Sequence, residues 1–257
     1  LGVRPRSGRL RRFPHEVGLR SVKLSPHILT IVELDSEPGL VHGFSTIALG
    51  SVGLTHAPDP APVLESRRAF ARALGIDSEP ITTVGAVHGA AVARIDEPKE
   101  VVQGVDGLVT NQRGVSLFAT FADCYPIVLW DPVKRAAGLA HAGWRGTAAG
   151  VAKAAVKAMH EEYGSAPVDI QAGIGPGICG RCYEVGAEVA ERFDAGFVKP
   201  SGERFVLDLA AANRAQLQAA GVSNVHVLGL CTKETDFLPS HRRFPDGARF
   251  GAIVALR

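Results

Sequence analysis

The sequence is poor in the features that define secreted and membrane proteins. Four cysteines among 257 residues are too few for the disulfide scaffold of an extracellular protein, so we expect the thiols to stay reduced. No apolar run approaches the roughly 20 residues that a bilayer-spanning helix needs. The N-terminal stretch also lacks the apolar core of a secretory signal. The sequence therefore predicts a cytoplasmic protein without a membrane partner.

Aromatic residues are also scarce, and positive charge is concentrated at one end. Aromatics make up 6% of the chain, and the net charge of +2 hides seven basic residues against Glu16, a net of +6, in residues 1–23. The rest of the chain is therefore mildly acidic. Nucleic-acid binding usually needs a basic folded surface with interleaved aromatics, so we expect no nucleic-acid partner. Residues 1–23 are predicted to be a basic, flexible arm.

What the chain does have is an alternation of β-rich runs and small-residue helices. It is 46% hydrophobic and has 29 glycines, as expected of a compact, loop-rich fold. Runs rich in Val, Ile and Leu predict strands at 28–34, 81–87, 115–122, 127–130, 136–141, 168–174, 225–230 and 250–256. Start and stop signals predict helices at 62–74, 147–163, 185–193 and 208–220. This order predicts an α+β fold of mixed layers, a mixed β-sheet core flanked by helices.

No break in composition divides the chain after the arm. The Pro-rich run APDPAP at 57–62 is short enough for a surface loop before a helix that starts at Pro62 and stops at Gly75. Asp208 and Gly221 are the expected caps of the helix at 208–220. No repeat recurs at a fixed period. We therefore expect residues 24–257 to form one catalytic domain.

Three residues of types that carry chemistry sit at the ends of apolar runs. His88, Cys124 and His141 lie in ITTVGAVHGA, FADCYPIVLWD and AAGLAHAGWRG. A His or Cys in an apolar run is usually an inert core residue. Each of these, however, stands at a strand-to-loop transition beside a small residue, where functional side chains are commonly displayed. Two imidazoles and one thiolate suit zinc, and three ligands leave a fourth position open for water or substrate.

Six motifs occur in the order of one known family. They are VHGA, DGLVT at 106–110, ADCYPIVLWDP, AHAGWRGTAAGV, GIGPGICGRCYEVG and FLPSHRRFPDGARFGAIVAL. From about His42 to the C-terminus they resemble the YfiH or laccase-domain family, also called the polyphenol oxidase family or LACC1-type purine nucleoside phosphorylases. The resemblance implies a YfiH/CNF1-like fold. It also implies that His88, Cys124 and His141 are the catalytic metal ligands and that Arg145 lies in the same pocket.

The resemblance further implies a multifunctional activity on purine nucleosides. One reaction is phosphorolysis of adenosine, inosine, guanosine and methylthioadenosine to the base and ribose-1-phosphate. The other is deamination of adenosine to inosine. Zinc with an open position lowers the pKa of bound water toward 7 and would supply hydroxide for the deamination. The implied partners are therefore small nucleosides and phosphate, and the implied cofactor is zinc, with copper as the second choice.

Several polar residues are candidates for contacting these substrates. Arg145 and the amides of the helix after Thr147 would hold phosphate. Asp123, beside Cys124, and Glu184 are candidate acids or bases. Arg242, in the SHRR motif, is expected to line the substrate pocket.

Two departures from the family pattern affect the substrate side of the site. The family usually has Gln two residues before the first histidine, where this chain has Ala86. An Arg commonly follows FST, where this chain has Ile47. We expect the metal ligands to be intact and the polar shell around the substrate to be altered.

Other interpretations of the same residues stay open. Cys124 with His141 or His88 as its base would make a cysteine hydrolase, for example of an amide in a cell-wall precursor. A metal-stabilised, non-catalytic editing factor in cell-wall (peptidoglycan) synthesis is another option. Copper oxidation of phenols needs many more histidines in HxH pairs, and the nine histidines here form none.

Two further motifs, one rich in cysteine and one rich in glycine, do not fit the functions that they first suggest. Cys179 and Cys182 have thioredoxin-like spacing, but they lie in a Gly/Pro-rich loop without the pattern of a redox βαβ unit. A four-cysteine zinc site is disfavoured because Cys124 and Cys231 are single and widely separated. GIGPGICG lacks the Lys and Ser/Thr ending of a phosphate loop and the spacing of a dinucleotide-binding motif. We expect neither redox catalysis nor a nucleotide cofactor.

Overall fold

The computed structural model describes residues 22–24, 27–55, 57–77, 80–245 and 247–257. Apart from Val22 and Lys23, the predicted arm at residues 1–23 lies outside the described residues. The strands are β1 (Val22–Leu24), β2 (Ile28–Ile31), β3 (Leu40–Ser45), β4 (Thr82–Gly85), β5 (Val92–Arg94), β6 (Val101–Gln103), β7 (Gly107–Thr110), β8 (Ser116–Phe121), β9 (Tyr125–Asp131), β10 (Ala136–Ala142), β11 (Gln171–Ile174), β12 (Glu184–Val185), β13 (Val198–Ser201), β14 (Arg204–Leu207), β15 (Asn224–Val227) and β16 (Phe250–Leu256). The helices are α1 (Val32–Asp35), α2 (Pro60–Ala73), α3 (Trp144–Ala148), α4 (Val151–Tyr163), α5 (Ala187–Ala190) and α6 (Leu209–Ala219).

The strands form three sheets. A seven-stranded sheet has the order β1-β2-β3-β16-β8-β4-β6, a six-stranded sheet the order β15-β11-β9-β10-β7-β5, and a small sheet the order β12-β14-β13. Both large sheets mix strand directions. In the first, β4 is parallel to β8 and β6 while β16 is antiparallel to its neighbours. In the second, only β11–β15 and β5–β7 are parallel among the described pairs. The predicted single-domain α+β fold with a mixed sheet core is confirmed.

The two large sheets pack face to face, and helices cover their outer faces. Leu117 and Phe250 of the first sheet belong to the same buried cluster as Val128 and Leu139 of the second. The alternate residues of the same strands point the other way. Phe118, next to Leu117, therefore packs with Phe70 of α2. The resulting order of layers is α2, seven-stranded sheet, six-stranded sheet, and then α4 with α6.

Helix α2 begins two residues before its predicted start. Asp59 accepts the N–H of Ala61 at 2.9 Å and caps the helix, so Pro60, not Pro62, takes the first helical position. Proline is suited to that position because its missing N–H would be unpaired there in any case. The predicted stop at Gly75 is confirmed, because this residue has a φ of +71° that only glycine adopts easily.

The helix predicted at 147–163 is two helices. Gly150 has a φ of +83° and separates α3 from α4, and Gly164 ends α4 as predicted. Small residues on both sides of Gly150 conceal this break in the sequence. In contrast, the helix at 208–220 is confirmed, because Asp208 accepts the N–H of Ala211 and Gly221 follows the helix with a φ of +96°.

Other predicted elements are shorter than expected or change type. The helix predicted at 185–193 is reduced to α5, since Glu184 and Val185 pair with β14. The strand predicted at 28–34 ends at Ile31 and continues as α1, and residues 167–169 form a 3-10 turn before β11. Eight described strands lie outside every predicted strand, namely β1, β3, β5, β6, β7, β12, β13 and β14. Among the described residues, no helix is both long and apolar enough to cross a membrane.

Candidate metal centre

His88, Cys124 and His141 come together although 53 residues of sequence separate the first from the last. Each offers one nitrogen or sulfur atom, and these atoms lie within 4.8 Å of one another. The two imidazole rings meet edge to face with centroids 5.0 Å apart. His141 is buried, Cys124 is half-buried and His88 is exposed. The cluster is therefore closed on the His141 side and reachable from solvent on the His88 side.

The fold assembles this cluster where the chain crosses between the two large sheets. His88 lies between β4 of the seven-stranded sheet and β5 of the six-stranded sheet, and Cys124 lies between β8 and β9, which belong to the same two sheets. His141 stands in β10, the neighbour of β9. Crossing segments must change direction sharply, and both do so with unusual backbone. His88 and Asp123 have φ values of +62° and +82°, a region that costs non-glycine residues about 1–3 kcal/mol.

Asp106 holds the His88 loop and the His141 ring in place. Its carboxylate is fully buried at a third crossing, between β6 and β7. It accepts the backbone N–H groups of His88 at 2.8 Å and Gly89 at 2.7 Å, and that of Val87 at 3.3 Å. His141 Nδ1 lies 3.4 Å from the same carboxylate. Burial opposes ionisation, but the hydrogen bonds from His141 and the backbone outweigh it and lower the pKa of Asp106.

The ionised Asp106 fixes the tautomer of His141. A carboxylate accepts hydrogen bonds and donates none, so Nδ1 of His141 carries the proton and points it at Asp106. Nε2 is then the ring atom that faces Cys124, and a metal ion would displace its proton. An imidazole oriented by a carboxylate in this way is the usual arrangement behind a metal-binding histidine.

Cys124 and His141 also shift each other's charge state. Burial alone would raise the pKa of the Cys124 thiol, but the charge and hydrogen bonds of His141 and His88 lower it to about 6. Burial would lower the pKa of His141, whereas Cys124 and Asp106 raise it to about 9. Cys124 is therefore a thiolate at neutral pH. A thiolate is the form of cysteine that binds a metal or attacks a substrate.

Gly143 leaves room for the cluster. It precedes α3, and a Cβ built there would lie 2.8 Å from Cys124 Sγ and 3.3 Å from Cδ2 of His88. Its φ of −82° is accessible to any residue, so the glycine is required by space and not by backbone conformation. Helix α3 is held from behind by α6, because Asn213 contacts the Thr147 hydroxyl and Gln216 donates to the Thr147 carbonyl.

Arg145 lies on α3, two residues after Gly143, beside a surface cavity of about 300 Å³. Its guanidinium stacks on Trp144 at 4.4 Å, and Arg192 approaches the same ring at 5.9 Å. Helix α3 has five residues, so the cationic side chains, more than the helix end, give this cavity its charge. The positive charge of Arg145 also reaches Tyr183.

Arg242 contacts Tyr183, Glu184 and Asp123 and so links their segments. Arg242 stacks over the Tyr183 ring at 4.7 Å, and donates to the backbone carbonyl of Glu184 at 2.8 Å. Asp123 is buried and accepts the Arg242 backbone N–H at 2.7 Å and the Thr232 hydroxyl at 2.6 Å. Both Asp123 oxygens are thus used in holding loops together, and the Glu184 side chain is exposed.

Asp106 and Tyr183 are two residues of this region that the sequence analysis did not single out. Both stand inside quoted motifs, DGLVT and CYEVG. Burial raises the pKa of Tyr183 to about 12, with the charge of Cys124 adding to the effect and Arg242 and Arg145 opposing it. Its hydroxyl stays protonated at neutral pH and lies near the metal centre. Their partners lie far away in sequence, so no local pattern points to either residue.

The donor set fits a thiophilic divalent metal. Two imidazoles and one thiolate suit zinc and also copper, and three protein ligands leave a position free. The buried carboxylate behind His141 and the ionised thiol supply the orientation and charge that such an ion needs. The departures at Ala86 and Ile47 are exposed and belong to none of these contacts.

Comparisons with known proteins agree with this architecture. Residues 42–257 match the family described as multi-copper polyphenol oxidoreductase laccase. A purine nucleoside phosphorylase of Deinococcus radiodurans is 40% identical over 227 residues, 84% of this chain and 88% of that protein. Adenosine deaminase RL5, from an unknown prokaryotic organism, is 39% identical over 188 residues, 66% of this chain and 71% of the relative. YlmD from Geobacillus stearothermophilus has a crystal structure that matches with a TM-score of 0.85 at 32% identity, over 92% of this chain and 99% of that one.

The chain belongs to this laccase-domain family, as its motifs predicted.

Proposed function

We propose that this protein is a zinc-dependent purine nucleoside enzyme. It cleaves adenosine, inosine, guanosine and methylthioadenosine with phosphate to give the base and ribose-1-phosphate, and it deaminates adenosine to inosine. The observation that carries the proposal is the convergence of His88, Cys124 and His141 in front of the buried Asp106. Relatives named as a purine nucleoside phosphorylase and an adenosine deaminase support the substrate class.

The three convergent side chains would hold the zinc ion. When bound, zinc supplies a Lewis acid and activates water at neutral pH. Cys124 contributes negative charge, and Asp106 keeps the His141 proton on Nδ1 so that Nε2 faces the ion. Because His88 and Val87 are exposed, the open side of the site is the side from which a nucleoside would enter. Val87 offers an apolar surface there for a purine ring.

Phosphorolysis needs an anion site next to the metal centre. We assign the phosphate to Arg145, whose charge extends to Tyr183 and which shares its cavity with Arg192. Guanidinium groups bind phosphate oxygens through charge-assisted hydrogen bonds. Arg242, which stacks on the Tyr183 ring, would add a second cation near the substrate. The protonated Tyr183 hydroxyl can donate a hydrogen bond to the leaving base or to phosphate.

Asp123 takes a supporting role in this scheme. Its two oxygens are occupied by Thr232 and Arg242, so it positions the Arg242 loop instead of exchanging protons. Glu184, which the sequence offers as an alternative acid or base, contributes its backbone carbonyl to the same loop. Proton transfer is therefore assigned to Tyr183, to the exposed Glu184 carboxylate or to a group of the substrate.

The test is a product analysis of metal-defined protein. Purified protein with measured zinc and copper content is incubated with adenosine, with and without phosphate, and inosine, adenine and hypoxanthine are resolved. Inosine without phosphate and free base only with phosphate are expected from the zinc form. A zinc-loaded, folded protein that produces none of these would refute the proposal. Activity only in a copper-loaded form, with phenols oxidised, would support the oxidase that the family description names.

A cysteine hydrolase is the second candidate, and the thiolate–imidazolium pair of Cys124 and His141 favours it. Alkylation separates the two functions. A metal-bound thiolate should react slowly in zinc-loaded protein and faster after chelation, whereas a nucleophile reacts readily with zinc present. Fast labelling of Cys124 in the zinc form, with a covalent substrate adduct on its sulfur, would replace the zinc mechanism with the hydrolase.

A further inference from the structure

A second cluster of metal-binding side chains lies outside the His88 centre. Cys179 and Cys182 come from the connection between β11 and β12, and Cys231 and Glu234 come from the segment after β15. Their three sulfur atoms and one carboxylate oxygen all lie within 4.8 Å of one another. All three cysteines are free thiols. A four-cysteine zinc site is disfavoured by sequence because Cys124 and Cys231 are single and widely separated. The fold places Cys124 in the first centre but Cys231 beside the Cys179–Cys182 turn.

Each half of the cluster is a tight turn with a ligand at both ends. The carbonyl of Cys179 accepts the N–H groups of Cys182 and Tyr183, and the carbonyl of Cys231 accepts that of Glu234 at 3.2 Å. The two halves therefore read C-x-x-C and C-x-x-E. Paired turns of this kind, with two residues between ligands, are the usual framework of structural zinc sites. Here a carboxylate, which zinc also accepts, stands in the fourth position.

Backbone hydrogen bonds lock the two turns against each other. Gly177 pairs with Cys231 in a parallel bridge, and Gly177 also bonds to Leu230 and Thr232. The N–H of Cys179 donates to the sulfur of Cys231 at 3.3 Å. The cluster is thus held by main-chain contacts and does not depend on mobile side chains to bring its members together.

Cys231 forms the buried end of the cluster, whereas Cys179 and Cys182 are half-buried. The Glu234 carboxylate lies 3.3 Å from Cys182 Sγ and 3.9 Å from Cys179 Sγ. The carboxylate and the thiols therefore crowd together, and Arg181 forms an ion pair with Glu234.

We propose that Cys179, Cys182, Cys231 and Glu234 bind a second divalent metal ion, zinc, in a closed four-ligand site. Zinc–sulfur bonds of about 2.3 Å in a tetrahedron require sulfur atoms about 3.8 Å apart, which small side-chain rotations reach from the observed spacing. Four protein ligands leave no open position, and this is the mark of a structural site. On metal binding, the Glu234 carboxylate would give up its ion pair with Arg181 and coordinate the metal.

The second ion would brace the loops that surround the first centre. Thr232, next to Cys231, donates to Asp123, which precedes Cys124. Ile178, next to Cys179, donates its N–H to the Asp123 carbonyl and accepts the Tyr125 hydroxyl. Tyr183 follows Cys182 directly. The site therefore ties together the segments that carry Asp123 and Tyr183, and its role is to position them.

Metal counting in full-length protein tests the proposal without using activity. The double variant His88→Ala/His141→Ala removes the first centre, and its zinc content is measured after purification in zinc-supplemented, reducing medium. About one equivalent per chain should remain, against about two in the wild type. Adding Cys182→Ser should abolish that equivalent. Cobalt bound to the double variant in place of zinc should give the strong near-ultraviolet charge-transfer bands of several thiolates. Cys124 is then the sole thiolate left at the first centre, so bands of this kind would come from the second cluster.

Matched controls address folding and the fourth ligand. Glu234→Gln should retain less metal on dialysis and shift the visible ligand-field bands of cobalt, whereas Glu203→Gln, at an exposed turn between β13 and β14, should behave like its parent. Circular dichroism identifies variants that fail to fold. Absence of bound metal in the double variant would overturn the proposal. Non-reducing mass spectra that show a Cys179–Cys182 disulfide in place of metal would also overturn it and indicate redox chemistry.

Discussion

At the residue scale, two buried aspartates, Asp106 and Asp123, hold different loops of the metal centre in place. Asp106 accepts three backbone N–H groups of the His88 loop and faces the His141 ring. Asp123 accepts a hydroxyl and an N–H from loops on the other side of Cys124. Each carboxylate is buried, so each lost hydrogen-bond donor leaves a buried acceptor unsatisfied, at a cost of about 1–3 kcal/mol. The geometry of the metal centre is therefore built as much from these two carboxylates as from the ligands.

Removal of any single ligand should release the metal and stop catalysis together. His88→Ala, Cys124→Ala and His141→Ala each leave two donors, which is too few to retain zinc in competition with a chelator. We expect loss of the first-centre metal and of nucleoside turnover in all three, measured by elemental analysis and product assay. His226→Ala, a half-buried histidine of β15, is the control and should keep both. Full metal retention in all three ligand variants would exclude this site.

Asp106→Asn should weaken metal binding through the His141 ring. The carboxylate accepts the N–H groups of His88 and Gly89, whereas the amide can place its own N–H donor against one of them. The His88 loop and the His141 ring then lose their orientation. Loss of such a supporting carboxylate typically reduces metal affinity about 10- to 100-fold, which a zinc titration measures. Asp131→Asn is the matched control, because Asp131 is equally buried and accepts the N–H groups of Val133 and Lys134. Equal metal affinity in the two variants would limit Asp106 to a folding role.

Arg145→Ala should separate the two proposed reactions. Only phosphorolysis needs the anion, so it should fall by about 10- to 100-fold, the value of one charged hydrogen bond of 1.5–3 kcal/mol. Deamination should change little. Both rates are read from one chromatogram with and without phosphate, and Arg204→Ala, on the exposed hairpin of β13 and β14, serves as control. An equal loss of both activities would assign Arg145 to the nucleoside or to the fold.

At the scale of secondary structure, the site depends on where elements end. The three crossings between the large sheets bring His88, Asp106 and Cys124 to one place, and α3 begins directly against them at Gly143. Strand ends at a sheet edge are rigid on one side and irregular on the other. That combination permits the left-handed backbone of His88 and Asp123 without loosening the core.

Gly143→Ala should disturb the centre without straining the backbone. The added methyl group would stand 2.8 Å from Cys124 Sγ, so the thiolate or α3 must shift. Overpacking of this size typically costs about 1–3 kcal/mol. We expect a lower melting temperature and weaker cobalt binding with an altered thiolate absorption band. Gly196→Ala is the control, since a Cβ there meets nothing within 4 Å. Unchanged cobalt spectra in Gly143→Ala would show that the contact relaxes elsewhere.

The sequence predicted the three seven-residue strands and missed the described strands of three residues or fewer, for a physical reason. Strands β8, β9, β10 and β16 are continuous apolar runs buried on both faces, so composition alone reveals them. Strands β5 and β6 have three residues each, all half-buried or exposed. Their pairing is decided by neighbours that lie far away in sequence. The break at Gly150 was missed because the residues around it favour helix.

The same distinction applies to the residues of the site. His88, Cys124 and His141 each end an apolar run, a local signal that singles them out. Asp106 acts on backbone groups 17 to 19 residues earlier and on His141, 35 residues later, and no local pattern announces such contacts. Cys231 joins Cys179 only because β15 pairs with β11 in parallel.

At the scale of the whole molecule, the metal centre belongs to both large sheets and to neither alone. Helical layers cover the outer faces of the two-sheet sandwich. The segments that cross from one sheet to the other are therefore the places where both sheets meet solvent. Ligands taken from separate crossings can converge only when the sandwich is complete. Folding and metal binding should therefore be coupled, because the unfolded chain holds no such site. The stability of the metal-free fold then rests on the buried groups between and around the sheets.

One buried group, His42 in β3, should make the fold as a whole sensitive to acid. Its Nε2 accepts the N–H of Ile31 at 2.9 Å, and its Nδ1 has no partner among the described residues. Burial, partly opposed by Asp35, lowers its pKa from 6.5 to about 4. Between these values the unfolded chain binds a proton that the folded chain refuses, so stability falls as pH decreases from 6.5 to 4. The imidazole contributes about 3 kcal/mol to this loss, and below pH 4 it contributes no further change.

The measurement is urea unfolding of chelated protein from pH 7 to pH 4, so that metal release does not add to the slope. His42→Gln keeps an acceptor for the Ile31 N–H but cannot titrate, and its free energy of unfolding should depend less steeply on pH in this window. At pH 7 the variant should be destabilised, because its amide fits the site less well than the neutral ring. The two curves should therefore converge toward pH 4. Parallel curves would mean that His42 is not the group that limits acid stability, and that the buried carboxylates set it instead.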